Sequence, residues 1–187
     1  MDFQQVLSQR YSCRKFQDKP VSRELLTQLV EAGRRAPSGC NLQPWQFIVV
    51  DDAEKRQQIA EAVYDPELKT NSFAWDVPAF VVIVNTPPVE ITDHQKKIIA
   101  SCENSITEVD IGCTSMQICL AATNLGLGTV MMGKVRQQVV REALAIPEEL
   151  PIPIIIAVGY PLGSQVNPRP RRPLEDVLRW NSFENNQ

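Results

Sequence analysis

Residues 111–133, IGCTSMQICLAATNLGLGTVMMG, carry no charged side chain. No other stretch constrains the fold as strongly, because an uncharged helix has to be covered on every side. Its length invites a bilayer span. Gln117, Asn124, three threonines and four glycines argue against one, and Gly126 and Gly128 interrupt the helix. The reading is therefore a helix buried all round, followed by a strand. A small domain can bury such a helix only at its centre or against a second copy, so an obligate-type dimer interface is expected here.

The remaining elements follow from periodicity. Residues 2–9 read as a short helix with Phe3, Val6 and Leu7 on one face. Ser22 caps a second helix carrying Leu25, Leu26, Leu29 and Val30, which ends before Pro37. QFIVV (46–50) is a strand, and 51–63 an amphipathic helix capped by Asp51 or Asp52. AFVVIV (79–84) is a continuous apolar run, the pattern of a strand buried on both faces. Residues 93–125 read as helical in two pieces broken near Ser101. GTVMMG (128–133) is a third strand, 135–146 a helix and PIIIAVGYP (153–161) a fourth strand. The tail is proline-rich, with a helical turn at Leu174–Leu178. Its Val177, Leu178, Trp180 and Phe183 need a surface to pack on, and the partner subunit is the expected one. Four strands among helices give one α/β or α+β sandwich domain over 1–187, with 165–187 wrapping the partner. Gly126 and Gly128 open a dinucleotide-like pattern, but Met131 stands where its third glycine belongs. The chain there also leaves a helix to enter a strand, the reverse of a dinucleotide-binding turn.

The net charge is -3, so no overall positive field recruits nucleic acid. Basic residues cluster instead at Arg10–Arg14, Arg34–Arg35 and Arg169–Arg172, a pattern suited to a small anion. The five cysteines contain no C-x-x-C pair, and the opening MDFQQVLSQR lacks a charged-then-apolar leader. Both lead us to expect a reducing, cytoplasmic setting. The single histidine, His94, rules against a His-based triad, and no metal-site spacing is present.

In RYSCRKF, Arg10, Ser12 and Arg14 are two residues apart, so an extended chain points them the same way. Two guanidiniums and a hydroxyl suit a phosphate. Arg169 and Arg171 repeat the spacing between Pro168, Pro170 and Pro173, whose stiffness lowers the entropy cost of presenting them. The same prolines also match a P-x-x-P ligand of an SH3-like domain. The loop PSGCNLQPW offers Ser38, Asn41 and Gln43 to a flat ring with polar edges. Gly133 lets strand-end amides approach such a ring closely. The methionines of TVMMG read as core rather than as cofactor contacts. Together these describe a site for a phosphate at one end and a flat heteroaromatic ring at the other.

R-x-S-x-R-x-F, P-S-x-x-N-x-Q-P-W, the uncharged helix ending in G-L-G-T, and G-Y-P before an arginine-rich tail together resemble the FMN-dependent nitroreductase family. The resemblance covers nearly the whole chain. It implies an α+β fold, an α/β/α sandwich with a mostly antiparallel central sheet, in an intertwined homodimer. FMN would sit in the dimer interface, with both subunits contributing to each site. By the same resemblance Arg10, Ser12 and Arg14 hold the phosphate, ribityl chain and ring edge, and Tyr11 takes a position often held by a second basic residue. Pro37, Ser38 and Gly39 line the ring. Asn41 comes from the other subunit, and Met132 and Gly133 present amides near N5 and O4. Arg169 and Arg171 close on the phosphate. Electrons would pass from NADH or NADPH through N5 to nitroaromatic, quinone or similar conjugated acceptors, with no catalytic side chain beyond the flavin's surroundings. Arg14 is the candidate for positive charge at the N1–O2 edge. Reductive dehalogenation, flavin breakdown, or a non-enzymatic flavin-binding module are alternatives on the same scaffold. Cys40 departs from the family pattern, and so does the short Asn85–Gln95 segment, which suggests a more open site.

Overall fold

The computed structural model describes residues 1–187 apart from 89, 103–104, 164–168 and 185–187. Part of the expected tail, including Pro168, and one residue of the short 85–95 segment therefore lie outside the described residues. The elements are α1 (Phe3–Gln9), α2 (Arg23–Arg34), β1 (Trp45–Val50), α3 (Ala53–Val63), β2 (Ala79–Asn85), α4 (Asp93–Ser101), α5 (Ile106–Asn124), β3 (Gly128–Met132), α6 (Gln137–Leu144), β4 (Ile154–Gly159) and α7 (Leu174–Val177). Short 3-10 turns occupy Gly39–Asn41 and Ser72–Asp76.

The four strands form one sheet in the order β1-β2-β4-β3, with every neighbouring pair antiparallel. Along β2 the alternation of the pleat separates two cores. Phe80, Val82 and Val84 face one side, together with Ile59, Ala60 and Val63 of α3 and Val140 of α6. Ala79, Val81 and Ile83 face the other, with Leu26 and Leu29 of α2 and Ile111 and Ile118 of α5. This is the expected α/β/α sandwich, and the run at 79–84 is buried on both faces as its composition required.

The local sequence explains most helix ends. The Asp2 side chain accepts from the Gln5 amide at 2.9 Å, and Asp52, not Asp51, caps α3 by accepting from Lys55 N at 3.0 Å. Asp51 instead pairs with Arg23 at 2.6 Å. Helix α5 stops at a left-handed glycine, Gly126 (φ 76°). The Leu127 and Gly126 amides donate to Ala122 O at 2.8 Å and Thr123 O at 3.1 Å, which satisfies carbonyls the helix would leave bare. Helices α4 and α5 are separate, as expected from the break near Ser101.

Within one chain, α5 is covered on one face only. Its inner face (Ile111, Thr114, Ser115, Ile118, Cys119, Ala122) is covered, but Val109 is 60% exposed and Met116 is exposed too. Helix α1 likewise buries only Val6, while Phe3 and Leu7 are exposed. Both helices line an apolar groove of about 860 Å³ with Phe3, Val6, Val109, Cys113, Met116 and Leu120 in its walls. Periodicity identifies the apolar positions but does not say whether the same chain covers them.

On the inner face α2 and α5 approach closely at Gly33, where Thr114 Oγ1 donates to Gly33 O at 2.8 Å. Gly159 marks an equally close approach between β4 and its surroundings. A Cβ there would lie 2.6 Å from Pro78 Cγ and 2.7 Å from Phe16 Cδ1. Both neighbours are rigid rings, so the clash cannot be relieved by a rotamer change. Gly159→Ala is expected to cost about 1–3 kcal/mol, as overpacking usually does. Urea unfolding should show a lower midpoint at an unchanged slope.

Candidate functional site

The R-x-S-x-R segment is placed by its odd-numbered neighbour. Helix α1 ends as Arg10 turns extended (φ −63°, ψ 123°), and the Cys13 amide then donates to Thr129 O at 2.9 Å. Ser12 bridges Thr129 in parallel, so the segment lies along the outer edge of β3. Gly128 makes this possible, because a Cβ on it would fall 2.8 Å from Cys13 Sγ. Cys13 and Phe16 turn into the core, and Ser12 and Arg14 turn to solvent with Arg10 half-buried. Farther on, the Gln17 amide donates to Tyr160 O at 2.8 Å, tying the segment to the chain beyond β4.

Tyr11 shares the Cys13 side. Its ring packs against the core and its hydroxyl lies 3.7 Å from Cys13 Sγ. Its side chain therefore supplies packing. Burial, aided by the thiol, pushes the Tyr11 phenol up to about 12.

The loop after α2 is held in a costly shape. Cys40, Asn41 and Gln43 all have left-handed backbones, with φ of 52°, 57° and 49°. Each such non-glycine residue costs about 1–2 kcal/mol. Hydrogen bonds offset this: Gln43 N donates to Ser38 Oγ at 3.0 Å, and Asn41 N to Ser38 O at 3.0 Å. The Gly39 amide donates to Asp110 Oδ1 at 3.0 Å. Pro37 and Asn41 are exposed, and Ser38 and Gly39 half-buried. Gly39 is also pressed against Ile106, whose Cγ2 would be 2.3 Å from an added Cβ.

Asp110 was not singled out in the sequence, where it is merely the acid preceding the uncharged run. It is 4% exposed, and its second oxygen, Oδ2, is buried without a hydrogen-bond partner among the described residues. Buried polar atoms are as a rule hydrogen-bonded, so this oxygen marks a place where a water or a ligand donor would be accepted.

At the far end of β3, Met132 is buried in the core, as its residue type suggested, while Gly133 is exposed. The nearest atom to a Cβ on Gly133 would be Pro153 O at 3.9 Å, so the space on that side of the strand end is open. From Thr129, opposite Ser12, to Met132 is three residues along β3, about 10 Å. Next to Gly133, Lys134 forms an ion pair with Asp65, whose carboxyl it holds below the usual range.

The basic clusters have different fates. Arg34 and Arg35 both pair with Glu31, at 2.7 and 2.8 Å, and hold its carboxyl down to about 2. Among the described residues, Arg10, Arg14, Arg169 and Arg171 have no carboxylate partner. Arg14 Nη1 donates only to Ser12 O at 3.3 Å, and Arg171 Nη1 only to Arg169 O and Pro170 O at 3.2 and 3.4 Å. Within a single chain no hydrogen bond joins the tail arginines to Arg10, Ser12 or Arg14. The tail itself finds little cover, since Trp180 is 74% and Phe183 95% exposed. The residues present therefore fit an FMN-like group in chemistry: uncompensated guanidiniums for a phosphate, and a hydrogen-bonding loop and open strand-end amides for a ring edge. No cluster of potential metal ligands occurs among the described residues. Nor is any helix there long and apolar enough to cross a membrane.

A four-stranded antiparallel sheet between two helical layers, with an arginine-bearing segment along its edge, is the nitroreductase fold. The chain superposes on a nitroreductase family protein of Clostridium difficile with a TM-score of 0.78 at 25% identity, covering 98% of this chain and all of that one. It also superposes on a protein of Desulfovibrio desulfuricans described as a nitroreductase in complex with FMN. There the TM-score is 0.76 at 25% identity, with 98% and 99% covered. An NADPH-dependent oxidoreductase of Staphylococcus haemolyticus is 30% identical over 97% of this chain and 74% of its own length. Residues 7–160 match the Nitroreductase family, and the chain belongs to that family.

The raised Tyr11 value gives a direct check. The phenol is neutral in the fold where an ordinary tyrosine would ionise, so its contribution to stability is complete below about pH 10 and is lost as pH rises through about 12. In difference titrations near the phenolate absorbance maximum, the signal missing from Tyr11→Phe should titrate near 12 instead of near 10.

Proposed function

We propose that the protein is a homodimeric, FMN-dependent oxidoreductase that takes electrons from NADPH or NADH and passes them to nitroaromatic, quinone or similar conjugated acceptors. The observation that carries this reading is the charge imbalance at the two ends of the chain. Among the described residues Arg10, Arg14, Arg169 and Arg171 have no acidic partner, while Arg34 and Arg35 share Glu31. A phosphate monoester is the anion that two guanidinium pairs and the Ser12 hydroxyl would bind. The names of the relatives supply the nicotinamide donor and the flavin as classes.

When bound, FMN supplies the hydride and electron chemistry between donor and acceptor. The chain's residues would bind and orient it. Arg10, with Arg169 and Arg171, would hold the phosphate end, Ser12 the ribityl chain, and Arg14 would place positive charge at the N1–O2 edge. Pro37, Ser38 and Gly39 would line the ring, and the Met132 and Gly133 amides would face its N5–O4 edge. Tyr11 would support the segment through packing. Asn41, exposed on its own subunit, would reach the site of the second copy. No side chain need transfer a proton, which suits a chain with one histidine.

The second copy is proposed to cover the groove between α1 and α5 and to receive the exposed tail. Val109, Met116, Phe3, Trp180 and Phe183 would then lose their contact with water. The second copy would also bring the arginines of the two chain ends, which share no hydrogen bond within one chain, around one flavin mononucleotide.

The absorbance spectrum of the purified protein, followed by anaerobic addition of NADPH and NADH separately, tests the reading. Flavin bands that bleach with either nicotinamide support it. A colourless protein that takes up no FMN overturns it, and bound FMN that neither nicotinamide bleaches favours a non-enzymatic flavin module. The variant Arg10→Ala/Arg171→Ala should lose FMN on desalting, since charge-assisted bonds are worth about 1.5–3 kcal/mol each. Full occupancy would refute the arginine assignment. Light scattering at micromolar concentration should give twice the 21.0 kDa chain mass.

A further inference from the structure

The chain leaves β3 without support from the sheet. The last paired residue of β3 is Met132, opposite Ile155. Beyond it, the amides of Gly133, Lys134 and Val135 donate to no backbone carbonyl among the described residues. What holds this stretch is the end of α3. The Arg136 amide donates to Ala62 O at 2.8 Å, and the Arg136 guanidinium donates to Glu61 O. Val63 O is taken by Asn71 Nδ2 at 3.0 Å. These carbonyls belong to the last turn of α3, where a helix has no donors of its own. Helix α3 also has no basic residue in that turn, so Lys134 and Arg136 bring the positive charge that a helix C-terminus favours.

Asp65, two residues past α3, completes the anchor. Its Oδ1 accepts from the Glu67 and Leu68 amides, both at 2.9 Å, and its Oδ2 accepts from Lys134 Nζ. The carboxylate is therefore fixed independently of the lysine. Its side chain is 14% exposed, against 61% for Lys134. Lys134 follows Gly133 directly in the chain. Glycine has the widest backbone freedom of any residue, so its amide keeps one direction only if the residues on both sides are held. Met132 is held by the sheet, and Lys134 is held by Asp65. We propose that Lys134 is a positioning residue: its ion pair with Asp65 ties the chain leaving β3 to the end of α3 and so aims the Gly133 amide at the N5–O4 edge of the flavin. The aiming half rests on the flavin reading above. The anchoring half stands on the contacts of Asp65, Lys134 and Arg136 alone.

Lys134→Met keeps most of the stem and removes the charge. Asp65→Asn keeps the oxygen that accepts from Glu67 and Leu68, and Lys134→Arg keeps a cation for Asp65. Hydrogen exchange of the Arg136 amide should accelerate about two- to fivefold in Lys134→Met and Asp65→Asn, the worth of an exposed ion pair. It should stay near the wild-type rate in Lys134→Arg. Unchanged exchange in Lys134→Met overturns the anchoring role, with or without flavin bound. For the aiming role, holoprotein is equilibrated against equal excesses of FMN and 5-deaza-FMN, whose ring has carbon in place of N5 and accepts no hydrogen bond there. The wild type should retain FMN over the analogue by about three- to tenfold, the worth of one neutral hydrogen bond. That ratio should fall toward one in Lys134→Met and Asp65→Asn and return in Lys134→Arg. A merely structural defect would weaken both flavins alike and leave the ratio unchanged, and that result overturns the aiming role. Ratios that move in opposite directions in Lys134→Met and Asp65→Asn would make the charge of the lysine the cause instead of its position, and overturn it as well. A wild type that holds both flavins equally overturns the aiming role, and one that holds neither overturns the flavin reading with it. The exchange measurement needs no flavin and decides the anchor in either case.

Discussion

Everything in this molecule is arranged around strands β2 and β4, which have no face left for water. Ile155, Ile156, Ala157 and Val158 of β4 and Ala79 to Val84 of β2 are all buried, and the pleat sends successive side chains to opposite sides. Each fully buried aliphatic side chain contributes about 1.5–3 kcal/mol, so neither face can be left bare. Helices α3 and α6 answer one face and α2 and α5 the other. The three-layer architecture follows from that demand, and so does the position of β3 at an edge, where its unpaired backbone is open to the extended Ser12 segment.

The candidate site is assembled from segments that have little regular structure of their own. Each is attached to the scaffold by a small number of specific contacts. The arginine segment is held by the Cys13 amide on Thr129 and by the absence of a side chain at Gly128. The loop after α2 is held by the Asp110 carboxylate and the Ser38 hydroxyl, which together sustain three left-handed residues. This explains why a loop with unfavourable backbone angles can keep one shape, and why a buried acid sits at the margin of an otherwise uncharged helix. Strain in such a loop is tolerable when its surroundings over-determine it.

Much of this was legible in the residues. The strand at 79–84 declared its double burial through an unbroken apolar run, and Gly126 marked the end of α5 through its need for a left-handed backbone. The two-residue spacing of Arg10, Ser12 and Arg14 translated directly into an extended segment. Asp110 and Asp65 were invisible, because an acid before an apolar run and an acid in a polar turn look like ordinary surface chemistry. Their partners, Gly39 and Lys134, lie 71 and 69 residues away in the chain. The outer faces of α1 and α5 show a related limit, since apolar periodicity reports that a face avoids water but not what covers it.

Local rules therefore determined the elements, their caps and the types of group available for a ligand, because those depend on neighbours within a few residues. Only the tertiary structure decided which arginines already have acids and which do not, since an ion pair requires two side chains to meet in space. It likewise decided that the Tyr11 ring packs against the core, and that Asp110 is buried with one oxygen unpartnered among the described residues. Those facts depend on long-range packing, where a residue's environment is set by segments far from it along the chain.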